Sequence, residues 1–174
     1  MIGQIWGRLR LIFAHGVGLL ISHDKIQARV LDDEVLGNLA RVEPYGFSYR
    51  PKPGCQTYLL FPNGDRSYGV AIVVGDKRYQ LALQEGEVGV HDDQGQKVHL
   101  TRSGIVIDGA GRPVTITNAP TVTADTPLLK CTGDIMDRCN EGGRTMAAMR
   151  ASFDRHVHPE NDGGGPTDPP TEGM

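Results

Sequence analysis

The sequence predicts a mainly β chain whose second half depends on further copies of itself. Glycine (23) and proline (11) are plentiful in 174 residues, and aromatics make up 6% against 39% hydrophobic. That balance suits many short strands joined by turns better than a helical bundle. The apolar pattern also changes near residue 90, from strands of five to eight residues with hairpin signals to shorter strands holding two or three apolar residues each. A third observation, His156-Val157-His158 near the C-terminal end, marks a candidate metal site.

In chain order, Met1, Ile2, Ile5, Trp6, Leu9 and Phe13 recur at roughly helical spacing, with Arg8 and Arg10 off the stripe. Residues 1–17 therefore read as a short amphipathic helix stopped by Gly16 and Gly18. Its Trp6 stripe would dock on a partner or on the chain's own barrel. Arg8 and Arg10 before the run Leu11 to Ile21 give a poor likeness of a secretory signal, because His15 interrupts the run and no small-x-small cleavage site follows. The ~20 clean apolar residues of a membrane-spanning helix are not there.

Residues 18–92 read as five or six antiparallel strands. Ile26 to Val30, parts of Val35 to Val42, Thr57 to Phe61, Val70 to Val74 and Tyr79 to Ala82 supply the strands. Pro62-Asn63-Gly64-Asp65 and Gly75-Asp76 supply tight turns. A small closed barrel such as an OB-fold fits that size, with an open sandwich as the alternative. The barrel lacks the basic and stacking residues of an oligonucleotide binder, and 18 basic against 21 acidic residues leave a net charge of -3. No nucleic-acid partner is expected. Cys55, Cys131 and Cys139 are odd in number, without a C-x-x-C, and read as reduced thiols.

Residues 93–140 read as successive short strands. The apolar pairs are Val98 and Leu100, Ile105 and Ile107, Val114 and Ile116, Val122 and Ala124, then Leu129 and Cys131 with Ile135. Ser103-Gly104, Gly109-Ala110-Gly111 with Pro113, Pro120 and Pro127 break them. One chain cannot bury a core with so little, but three identical chains about an axis can, each forming one wall of a prism with Ile105, Ile107, Val114 and Ile116 inward. A meander extending the barrel is the alternative.

In residues 141–174 Met146, Met149 and Phe153 return to helical spacing after Gly142-Gly143. In extended backbone His156 and His158 project to one side. Three chains would bring six imidazoles together, filling an octahedral shell and leaving no position for substrate, so the site would be structural. The bland alternative is a pair of solvated surface histidines. The Gly- and Pro-rich tail beyond Pro159 cannot continue a strand and is expected to fold back along the tip, with Glu160 or Asp162 in reach of outer contacts. A metal-dependent hydrolase would need a third ligand, for which only those two carboxylates are near.

Taken in order, Met1-Ile2-Gly3, Gly64-Asp65-Arg66-Ser67-Tyr68-Gly69-Val70, Gly86-Glu87-Val88-Gly89-Val90, the repeating short strands, and Arg144-Thr145-Met146 through His156-Val157-His158-Pro159 resemble the central spike of contractile phage tails. The nearest group is the baseplate assembly protein V family of Mu-like phages and related tail-like bacteriocins. The resemblance covers nearly the whole chain. It implies a virion protein made in the host cytoplasm: a homotrimer with an OB-fold collar on the baseplate hub protein, a triple-stranded β-helix, and an apex that breaches the outer membrane of a Gram-negative host. It also implies an iron ion held at the apex by the paired histidines of three chains, here His156 and His158. Val157 between them and the short β-helix depart from the pattern. An OB-fold adaptor of a tail or secretion-like assembly, without a piercing role, is the alternative. No lysozyme-like domain or framed pair of catalytic carboxylates is recognisable, so no enzymatic activity is expected.

Overall fold

The computed structural model describes residues 12–160 and 163–174 and divides into two compact units, residues 1–115 and 116–174. The first unit begins with strands β1 (Phe13–Ile21), β2 (Lys25–Arg29), β3 (Val35–Arg41), β4 (Gln56–Leu60) and β5 (Val70–Gly75). They close into a barrel in the order β1-β2-β3-β5-β4. A small closed barrel consistent with the expected OB-like one is there, with five strands of the five or six expected, the first of them over a segment not read as a strand, and with one parallel pair. β3 and β5 run parallel, through Ala40 opposite Val70 and Arg41 opposite Ala71, while the other neighbours are antiparallel.

Period-two alternation sends Ile26 and Ala28 of β2, Leu39 of β3, Leu59 of β4 and Ala71 of β5 inward, where Cys55 and Phe61 complete the core. The predicted helix over residues 1–17 meets this barrel differently. Residues 1–11 lie outside the described part, and residues 13–17 are strand, paired with β4, with Val17 also opposite Arg29 of β2. Gly16 and Gly18 are not helix stops but points of close approach. A Cβ on Gly16 would stand 2.5 Å from the Arg29 carbonyl oxygen, and one on Gly18 would stand 2.7 Å from the Cys55 Sγ.

The turn at Pro62–Gly64 forms as a single 3-10 turn, with Asn63 at φ 57°, a left-handed conformation that asparagine tolerates. The strand expected over Tyr79 to Ala82 does not form. Each barrel strand already has two neighbours, so closure leaves no edge for a sixth. The chain instead carries Leu81 over Gly89, whose Cβ would stand 2.6 Å from Leu81 Cδ1.

Beyond it β6 (Val88–His91), β7 (Lys97–Thr101) and β8 (Gly104–Asp108) make a separate antiparallel sheet in that order. The boundary read at 92/93 therefore falls inside a hairpin, and β6 belongs with the strands that follow it. Asp92 shapes that hairpin by accepting from the Gln94 and Gln96 amides at 2.8 and 2.9 Å, with Gly95 at φ +90° closing the turn.

The strands predicted around Val114 and Ile116, Val122 and Ala124, and Leu129 and Cys131 do not form: among the described residues no strand follows β8. A strand exists by pairing, and segments this short, interrupted by Pro120 and Pro127, have no ladder partner within one chain. Helix α1 (Met146–Phe153) forms where the spacing predicted it. Thr145 caps it by accepting from the Ala148 amide at 3.1 Å, and Asp134 accepts from the Ala147 amide at 3.2 Å. Gly142 at φ +75° and Gly143, pressed against the Asp137 carbonyl, give the sharp entry.

Candidate functional site

Residues paired across a sheet lie on the same face, so the register of β6, β7 and β8 decides what each face carries. Val88 pairs with Leu100 and Leu100 with Ile105; Val90 pairs with Val98 and Val98 with Ile107. These six apolar residues thus share one face, while Val106 of β8, opposite His99, lies on the other. None of the six is covered: their exposure runs from 40% at Val98 to 71% at Ile105. Val114, Ile116, Val122, Leu128 and Leu129 are likewise exposed. The residues expected to face inward in an assembly are those that one chain leaves bare.

The opposite face of the same sheet is mixed, with Val106 beside charged and polar side chains. His99 Nε2 lies 3.1 Å from the Glu87 carboxylate, and Lys97 Nζ lies 3.2 Å from Asp108. Glu87 also accepts from the Gln84 and Arg102 amides at 2.9 and 3.1 Å. These bonds, the Gln84 amide first, hold its carboxyl below the usual range. Asp108 is lowered in the same way, chiefly by the Ala110 amide and then by Lys97.

The histidines follow α1. His156 Nδ1 lies 2.6 Å from the Phe153 carbonyl oxygen. A carbonyl only accepts, so the ring proton sits on Nδ1 and the Nε2 lone pair is left for a ligand. The His156 and His158 rings have centroids 5.1 Å apart and stand at 85°. Two imidazoles bound to one ion at right angles, with nitrogens about 2.1 Å from it, would have centroids roughly 4.5 Å apart. The pair is thus near the spacing of two ligands of a single ion. Among the described residues no group of three or more His, Cys, Asp or Glu side chains could hold an ion. Asp162, expected nearby, lies outside the described residues.

Two features escaped the sequence reading. Arg41 sits at an inward position of β3 and is nearly covered; it pairs with Glu43, donates to the Tyr49 carbonyl, and lies 5.1 Å from the Tyr49 ring. It fastens the loop between β3 and β4. The signal was a charged residue at the parity of Leu39 with an acid two places on. Thr167 is the other: its hydroxyl accepts from the His158 amide at 2.9 Å, and its amide donates to the His158 carbonyl at 2.9 Å. A hydroxyl residue among prolines after a glycine run was the available hint. A cleft of about 610 Å³ is lined by Tyr49, Lys52, Asp76, Tyr79 and Asp93 among others; of its charged groups Lys52 pairs with Asp93, and Asp76 pairs with Arg78.

Comparison with known proteins gives a consistent picture. The family described as Bacteriophage Mu Gp45, N-terminal, matches residues 23–78, which run from β2 through β5. The baseplate puncturing device gp45 of Escherichia phage Mu is 28% identical over 179 residues, an alignment covering 93% of this chain and 90% of that one. The Mu-like prophage FluMu protein gp45 of Haemophilus influenzae is 28% identical over 120 residues, 66% of this chain and 65% of its own. These matches bear out the resemblance to Mu-like central spike proteins drawn from the sequence.

Proposed function

We propose that this chain is the structural central spike of a contractile phage tail, located at the distal tip of the baseplate in the virion, where it punctures the outer membrane of a Gram-negative host as the tail contracts. The observation that carries the reading is the bare apolar face of Val88, Val90, Val98, Leu100, Ile105 and Ile107. Three copies wound about an axis would bury it, and the exposed apolar residues from Val114 to Leu129 would continue the burial along a triple-stranded β-helix. The alignment with the phage Mu puncturing device, which extends through both the barrel and the residues after it, favours the same reading. The barrel and the N-terminal segment would form the collar on the baseplate hub protein. The role is mechanical rather than enzymatic.

At the apex His156 and His158 of three chains would hold one ion. Six imidazoles suit an octahedral first-row ion, iron before the tetrahedral zinc. A shell filled by protein nitrogens supplies cross-linking and no open site for chemistry.

The piercing role is tested with tails assembled from a chain ending at residue 140. Such tails should attach and contract, yet admit far less of a chromogenic β-lactam to an enzyme in the host periplasm. Undiminished permeabilisation would favour an adaptor without a piercing role.

A further inference from the structure

We infer that the segment after Gly163 is a strap that holds His158 in ligating position, with Thr167 as the positioning residue. This rests on the metal reading of His156 and His158 given above. The two rings are anchored by different means. His156 is fixed by the end of its own helix: Nδ1 and the backbone N–H both donate to the Phe153 carbonyl, at 2.6 and 3.2 Å, and the Phe153 ring lies 5.1 Å from the imidazole. His158 is four residues beyond the helix cap at Asp154, too far for that carbonyl to reach.

What holds His158 is its backbone. Its N–H donates to Thr167 Oγ1 and its carbonyl accepts from the Thr167 N–H, both at 2.9 Å, so one residue satisfies both main-chain groups. The chain end returns to the near side of the pair as well. The Met174 N–H donates to Asp154 Oδ1 at 3.0 Å, and a Cβ on Gly173 would touch the same oxygen at 3.4 Å. The strap thus grips the polypeptide just before His156 and again at His158.

The tail's composition suits it to this work. Gly163, at φ +86°, turns the chain back, and the prolines at 166, 169 and 170 stiffen the return without donors of their own. Thr167 stands among them as a residue with both an N–H and a hydroxyl to offer. Fixing the His158 backbone limits where its imidazole can point. Losing contacts that position a ligand weakens metal sites by up to roughly 10–100-fold, the upper range belonging to contacts on the ligating group itself.

The test uses the full chain in its assembled form, loaded with ferrous iron alone. The release of iron to excess chelator is followed, together with hydrogen exchange of the His158 amide in the metal-free protein. Thr167→Val keeps the shape and removes the acceptor; it should release iron faster, by up to roughly 10–100-fold, and lose His158 amide protection. Thr167→Ser, which keeps the hydroxyl, should restore both, and the mass in solution should match the unaltered protein throughout. Removing residues 163–174 should act in the same direction as Thr167→Val. Wild-type release and wild-type amide protection in Thr167→Val would overturn the strap while leaving the metal reading intact. An unaltered chain that takes up no iron, yet protects the His158 amide, would remove the metal reading and the positioning role with it.

Discussion

The barrel and the sheet β6-β7-β8 are neighbours in sequence and treat their apolar residues in opposite ways. The barrel closes on itself and covers Ile26, Leu59 and Phe61 to within 2% of completely. The sheet has as clear an apolar face and covers none of it. Both obey the same alternation, so the difference lies in closure. Five strands with a parallel β3–β5 pair enclose a volume that their own side chains fill, whereas three strands form a wall with one dry side.

The sharpest way to break this contrast is a charge on each region. Ile107→Asp would bring carboxylates together in the centre of the assembled wall, at a cost of several kcal/mol per ion, and should abolish assembly in sedimentation. Leu31→Asp, at a residue 78% exposed beside the barrel, should leave assembly unchanged. Equal effects would erase the distinction between an assembly face and ordinary surface apolar residues. Within the barrel, Phe61→Ala should cost about 3–5 kcal/mol in denaturant unfolding because Phe61 is wholly buried. A loss below ~1 kcal/mol would mean that the barrel core does not behave as packed. At the helix, Thr145→Ala removes the cap on the Ala148 amide and should cost about 1 kcal/mol, read as a fall in thermal midpoint.

The smallest effect expected is one of pH. Glu87 is held below the usual carboxylate range, so its share of the sheet's stability is fully present above about pH 4.3, where an unperturbed glutamate titrates. That share is lost as pH falls through the lower folded value. Glu87→Gln should therefore flatten the acid dependence of unfolding in that window. An unchanged profile would mean that the Gln84, Arg102 and His99 contacts do not favour the ionised carboxyl.

Much of the barrel was legible because its signals are local. Ile26 to Val30 alternates, Asn63-Gly64 turns, and the spacing of Met146, Met149 and Phe153 marks α1. What escaped depended on contacts distant in sequence. Gly16 and Gly18 read as helix stops because nothing near them announces Arg29 or Cys55. Tyr79 to Ala82 reads as a strand until the barrel is seen to have no free edge. The apolar pairs at 98, 100, 105 and 107 were visible one strand at a time, but their sharing of one face is a property of the register. The histidine pair was visible as a spacing, and its metal role was implied by the family resemblance. Thr167 could not be, because its contact with His158 spans nine residues of glycine- and proline-rich chain.

The central claim, that three copies cover the apolar face, is tested most directly by the mass of the full chain in solution. Sedimentation at micromolar concentration should give three times the 18.9 kDa of one chain, with no folded species at the single-chain mass. A folded, soluble monomer under those conditions would contradict it.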